Sequence, residues 1–281
     1  MFSTAVQPSI VSLFSSTGSH PLQLFSVHTD QNLVADSVIH LMHDHHCTPP
    51  PEEPALLIKS PALLRADDPE NDSNLGYELD QTVLHIQSPD IKRTFIQCPK
   101  RSASTDGSIR PPVDLGLKHP WLHLQVRNLG REWSFEVGIV DRAGVALAVR
   151  CSTFQKRPRL VHPSGSNGPL LLHLPLSFPS RSSYNLTAWS TISLHLPPIL
   201  KQASTLLLST QHQQGDQDDS DNDSTAEPGM SHVAQYLPHS RYSHVSYIKI
   251  YATCRLRRIW FSEGGPSQRT PWELELYAGA S

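Results

Sequence analysis

Two runs of alternating side chains, WSFEVGIV (133–140) and VALAVRCS (145–152), are joined by Asp141-Arg142-Ala143-Gly144. In the first run Trp133, Phe135, Val137 and Ile139 fall on one side and Ser134, Glu136, Gly138 and Val140 on the other. Such a period of two belongs to an extended strand, not a helix. The stretch therefore predicts a β-hairpin with one face in a core and the other mostly wet. The same alternation recurs at 77–88, 94–98, 121–128, 170–176, 189–196 and 247–261, with turn signals such as Asp106-Gly107 between the runs. Many short strands at such spacing predict an all-β chain, a sandwich or jelly roll.

Composition points the same way. The chain has 281 residues, 38% hydrophobic and 17% charged, and 24 prolines, each of which would cost a helix interior a hydrogen bond. One or two short helices are expected, at 8–16 and at 197–210, where a proline pair opens an apolar run. Two stretches are too polar to bury a core of their own: 43–76, with HDHHC and TPPPEEP, and the acidic 211–230, QHQQGDQDDSDNDSTAEPGM. Both are expected to be disordered insertions in a single domain spanning 1–281.

Several function classes are disfavoured. The net charge of -3 offers no long-range attraction to nucleic acid or to an anionic membrane. No apolar run is long enough to span a bilayer, and the N-terminus lacks a basic region before its apolar part, so a soluble, intracellular protein is expected. Cys47, Cys98, Cys151 and Cys254 form no CxxC pair and read as buried free thiols. His43-Asp44-His45-His46-Cys47 has metal-ligand residue types without a second ligand pair, and reads as a polar loop rather than a metal site. The carboxylates of 216–223 lack the glycine and terminal glutamate of a calcium loop. GxSxG, P-loop and HExxH patterns are absent. No catalytic residue, cofactor, metal or small-molecule substrate is expected.

The stretch YIKIYATCRLRRIWFSE (247–263) carries the most chemistry. With period two, Ile248, Ile250, Ala252, Cys254 and Leu256 share one face, while Tyr247, Lys249, Tyr251, Thr253, Arg255 and Arg257 share the other. At Arg257-Arg258 the alternation slips, which predicts a bulge or break between two strand pieces. Arginine forks pair with carboxylates, so Lys249, Arg255, Arg257 and Arg258 are the candidate contacts for an acidic partner.

The same stretch resembles the signature of the cilia- and flagella-associated protein twenty family, in which a strand ending in cysteine is followed by Arg-apolar-Arg-Arg-apolar-aromatic-Phe-Ser and an acidic residue. Here these are Cys254, Arg255, Leu256, Arg257, Arg258, Ile259, Trp260, Phe261, Ser262 and Glu263. STGSHPLQLF (16–25), TFIQCP (94–99) and LGLKHPWLHLQVRNLGREWSFEVGIVD (115–141) are similar to family segments in the same order. The resemblance implies a single antiparallel β-sandwich of jelly-roll type, like carbohydrate-binding modules but not an enzyme. It further implies a microtubule inner protein at the inner junction of the ciliary doublet, with tubulin and inner-junction proteins as partners and a location in the axoneme or basal body. Departures exist: the family's Gly-Trp-Asn segment has Ala188, Trp189 and Ser190, and the two insertions are additions. A divergent binding module is therefore the competing expectation. It would use Trp121, Trp189 or Trp260 on sugars, or Arg255 to Arg258 on a nuclear or nucleic-acid partner.

Overall fold

The computed structural model describes residues 6–44, 47, 49, 82–100, 114–161, 169–178, 189–214 and 241–274. Thirteen strands are present among them: β1 (Ile10–Ser15), β2 (Ser26–His28), β3 (Val38–His43), β4 (Thr82–Gln87), β5 (Phe95–Cys98), β6 (Trp121–Asn128), β7 (Ser134–Asp141), β8 (Ala146–Ser152), β9 (Arg159–Val161), β10 (Leu170–Pro175), β11 (Trp189–His195), β12 (Tyr242–Tyr251) and β13 (Cys254–Ser262). One α-helix, α1 (Leu196–Gln214), follows β11, and short 3₁₀ turns occupy Gly265–Ser267 and Trp272–Leu274.

The strands form two sheets. A six-stranded sheet runs β11-β6-β13-β4-β3, with β1 also on β13, and a seven-stranded sheet runs β2-β5-β12-β7-β8-β10-β9. Their inner faces share one apolar core, supplied by alternate residues of each strand: Leu122, Leu124 and Val126 from β6, Phe135, Val137 and Ile139 from β7, and Ile248 and Ile250 from β12. The β-sandwich expected from the alternating runs is thus present, and the β7–β8 hairpin pairs as expected, from Ser134 opposite Ser152 to Val140 opposite Ala146. One pair departs from an antiparallel sandwich: β10 inserts between β8 and β9 and lies parallel to β8.

Three local expectations are corrected. Residues 10–15 form strand β1, not a helix, because Val11 and Phe14 find the open edge of β13 and tertiary pairing overrides local preference. Gln211–Gln214, placed at the start of the acidic insertion, continue α1, whose Leu196, Ile199, Leu200, Ala203 and Leu207 recur at helical spacing and are buried. His43, placed at the start of the first insertion, ends β3 opposite Thr82. The rest of 43–76, apart from Asp44, Cys47 and Pro49, and all of 215–230 lie outside the described residues.

The stretch 247–263 does break in two, but not where alternation slips. β12 belongs to the seven-stranded sheet and β13 to the six-stranded one, and the chain crosses between them at Ala252-Thr253. Thr94 O accepts from Ala252 N, Ser88 O accepts from Thr253 Oγ1, and buried Trp133 donates Nε1–H to Tyr251 O, so the crossing is held from both sheets. The slip at the double arginine is a β-bulge within β13: Leu256 faces Val126 and Arg258 faces Gln125, making Arg257 the inserted residue. Among the described residues no helix is long and apolar enough to cross a membrane.

Candidate partner-binding surface

The crossing at 252–253 separates the four predicted contact residues. Arg255, Arg257 and Arg258 lie on the outer face of the six-stranded sheet, and Lys249 lies on the outer face of the seven-stranded one. The expectation that all four contribute to one basic face is therefore corrected.

The arginines are buried, at 9%, 6% and 7% exposure, each tied to a different part of the chain. Arg255 Nη1 donates to Asp44 Oδ1 (2.8 Å) and Asp44 O (2.7 Å), and its Nη2 lies 3.0 Å from Cys47 Sγ. Arg257 Nη1 donates to Gln125 Oε1 (3.0 Å), and Arg258 Nη1 to Ser15 Oγ (2.6 Å). Asp44 is the hub of the first group. It also accepts from Arg127 Nη1 (3.1 Å) and Trp189 Nε1 (2.9 Å). Burial opposes its ionisation, but hydrogen bonds from Arg255 and Trp189 and the charges of Arg127 and Arg255 outweigh that and hold the carboxyl below its ordinary value. For Arg258 burial dominates and lowers the guanidinium's pKa.

Further along the same face, Trp121 stacks on His195 at 4.2 Å and His123 on Trp260 at 4.8 Å. The chain after β13 folds back over them. Gln125 Nε2 donates to Leu274 O, and Gly265, in the left-handed region at φ +65°, packs so close to the Trp121 ring that a Cβ would lie 2.4 Å from it. Of the three tryptophans offered as sugar platforms, Trp260 is buried, Trp189 is bound to Asp44 and Trp121 is stacked.

The seven-stranded sheet presents a different face. Lys249 Nζ sits 3.5 Å from the Phe95 ring centroid and 4.6 Å from that of Tyr251. Glu136 accepts from Arg150 Nε (2.8 Å) and Nη2 (2.6 Å) and from Tyr247 Oη (2.6 Å). The Tyr247 ring lies on Gly138, where a Cβ would be 2.2 Å away, so only glycine leaves room for it. Burial, then the Glu136 charge, raises the pKa of both Tyr247 and Tyr251, keeping them neutral donors. Next to this network, Ser152 hydrogen-bonds His173, and the β8–β9 loop exposes Phe154, Lys156 and Arg157 before Arg159. Glu136 and Arg150 were missed as a pair in the sequence, although the predicted hairpin register alone puts them opposite each other.

Two other places hold polar groups. A cleft of ≈ 560 Å³ at one end of the sandwich is lined by Asp36, Gln87, Ser88, Arg131, Glu132 and Thr253, among others. In the histidine-rich segment, His43 is buried, Asp44 is occupied as above and Cys47 is exposed, while His45 and His46 lie outside the described residues. Among the described residues no group of three or more histidine, cysteine or acidic side chains is placed to hold a metal ion. Cys98, Cys151 and Cys254 are buried as expected, whereas Cys47, expected to be buried with them, is exposed because it follows the end of β3; burial pushes the Cys98 and Cys151 thiols up to about 12.

Comparison with known proteins adds the context for these surfaces. A family profile described as the CFA20 domain matches residues 72–204. The chain is 23% identical over 201 residues to Cilia- and flagella-associated protein 20 of Chlamydomonas reinhardtii, covering 71% of this chain and 76% of that protein. It is likewise 23% identical over 201 residues to the Caenorhabditis elegans protein of the same name, covering 71% of each. With the Paramecium tetraurelia protein it shares 22% over 201 residues, covering 71% and 75%.

Proposed function

Because the chain belongs to the CFA20 domain family, we propose that it is a non-catalytic structural protein of the ciliary axoneme, lodged against tubulin at the inner junction of the doublet microtubule. The observation that carries this reading is the extent of the likeness. It runs through 201 residues, 71% of the chain, to proteins whose names are cilia- and flagella-associated.

The sandwich suits such a role physically. A structural element must hold its shape under load, and here the three β13 arginines on the six-stranded sheet's outer face each donate to another part of the chain. Tubulin surfaces are acidic, and complementary charge on the protein would set register and speed encounter more than it would add affinity. Of the residues offered for that contact, Lys249 keeps a position on a partly open face, while Arg255, Arg257 and Arg258 serve the fold. A tagged copy expressed in ciliated cells tests the reading. Retention in the axoneme after detergent extraction is expected, and a diffuse or purely nuclear signal in those cells would overturn it.

A further inference from the structure

The register of the seven-stranded sheet places six polar residues in one line across it. Gln97 pairs with Lys249, Lys249 with Glu136, Glu136 with Arg150, Arg150 with His173 and His173 with Arg159. All six stand on the outer face, since their sequence neighbours Ile96, Ile248, Phe135, Val149 and Leu172 enter the core and Leu160, beside Arg159, packs against it. The single carboxylate in the line, Glu136, is buried, accepts from Tyr247 and offsets the charge of Arg150, so the net positive charge of the line comes from Lys249 and Arg159.

Its cations recur at every second strand: Lys249 on β12, Arg150 on β8, Arg159 on β9. Strands lie about 4.8 Å apart, so the spacing is about 10 Å. A polyproline II segment repeats its side-chain direction every three residues, over about 9 Å. We infer that this line is a docking track for an extended acidic segment of a partner protein, carrying a carboxylate at every third residue and crossing the strands. The inference rests on the reading of the chain as a partner-binding structural protein and names the chemistry its partner must present.

Two features favour a polypeptide over nucleic acid. Cations at about 10 Å, with a buried carboxylate between two of them, fit spaced carboxylates better than a continuous phosphate backbone. The net charge of -3 also opposes a polyanion of high charge density. The loop leading from β8 to β9 adds two more exposed cations, Lys156 and Arg157, close in sequence to Arg159.

The test is fluorescence anisotropy with the full chain and a labelled peptide of repeated Glu-Pro-Ser, compared with a peptide of the same composition whose glutamates are bunched. Tighter binding of the periodic peptide is expected. The pair Arg159→Glu and Lys249→Gln should weaken it about tenfold, while Lys118→Gln with Arg131→Glu, an equal change of net charge on exposed residues off the line, should change it less than about threefold. Three results would overturn the inference: equal loss in both double variants, no preference for the periodic peptide, or equal affinity for single-stranded DNA. Peptide binding seen only after deletion of 215–230 would also overturn it, by assigning the line to the chain's own acidic run. Loss of axonemal retention with peptide binding intact would instead count against the proposed location.

Discussion

Asp44 shows how a single carboxylate changes the meaning of an arginine. Arg255 is 9% exposed, so its charge is tolerable only with a partner, and Asp44 supplies both a carboxylate and a carbonyl oxygen. Replacing Asp44 with Ala leaves two guanidiniums and the Trp189 indole without that acceptor. A loss of about 3 kcal/mol is expected in urea unfolding at neutral pH. His123 makes a prediction of different sign structure. Its ring hydrogen-bonds Ser193 and Ser262, both at 2.8 Å, and burial lowers its pKa from 6.5 to about 4. Folding thus favours the neutral ring. The stability it provides is complete above pH 6.5 and drains as pH falls towards 4, by up to about 3 kcal/mol. His85 and His173, also lowered mainly by burial, act in the same direction. The variant His123→Gln should show a shallower stability slope between pH 6.5 and 4, by about one proton, in urea melts across that range. An unchanged slope would remove His123 as the source.

At the scale of elements, α1 and β13 do the most to fix the arrangement. α1 covers an end of the core with Leu196, Ile199, Leu200, Ala203 and Leu207, and Leu200 is 1% exposed. Leu200→Ala should therefore cost about 3 kcal/mol, measured as a lower urea midpoint at unchanged slope. β13 is shared: β6 lines one edge along its length, while β4 takes Cys254 to Leu256 and β1 takes Arg258 to Ser262 on the other. The alternation that marked β6, β7 and β8 made their ends legible almost to the residue, and the slip at Arg257-Arg258 was legible as a bulge. β2 and β9, three residues each, were not, because three residues hold too little alternation to separate a strand from a loop. Nor was the burial of the β13 arginines. Local periodicity assigns a residue to a face, but what covers that face here is Ser15, Asp44 and the turn at Leu274, which lie far away in sequence.

Across the whole molecule the two sheets divide the work. One outer face is closed by side-chain stacking, buried ion pairs and the segment after β13, and the other carries the line of spaced cations on a partly open surface. Family likeness and a period-two reading point to the same arginine stretch, yet the fold spends those arginines internally, and the line of spaced cations lies on the opposite sheet. Such a division lets one face be rigid and leaves the other to select a partner. Co-sedimentation of the full chain with polymerised tubulin tests this most directly. The expected result is saturable pelleting at low salt that weakens as salt is added. A correctly folded chain that stays in the supernatant at every tubulin concentration would contradict it.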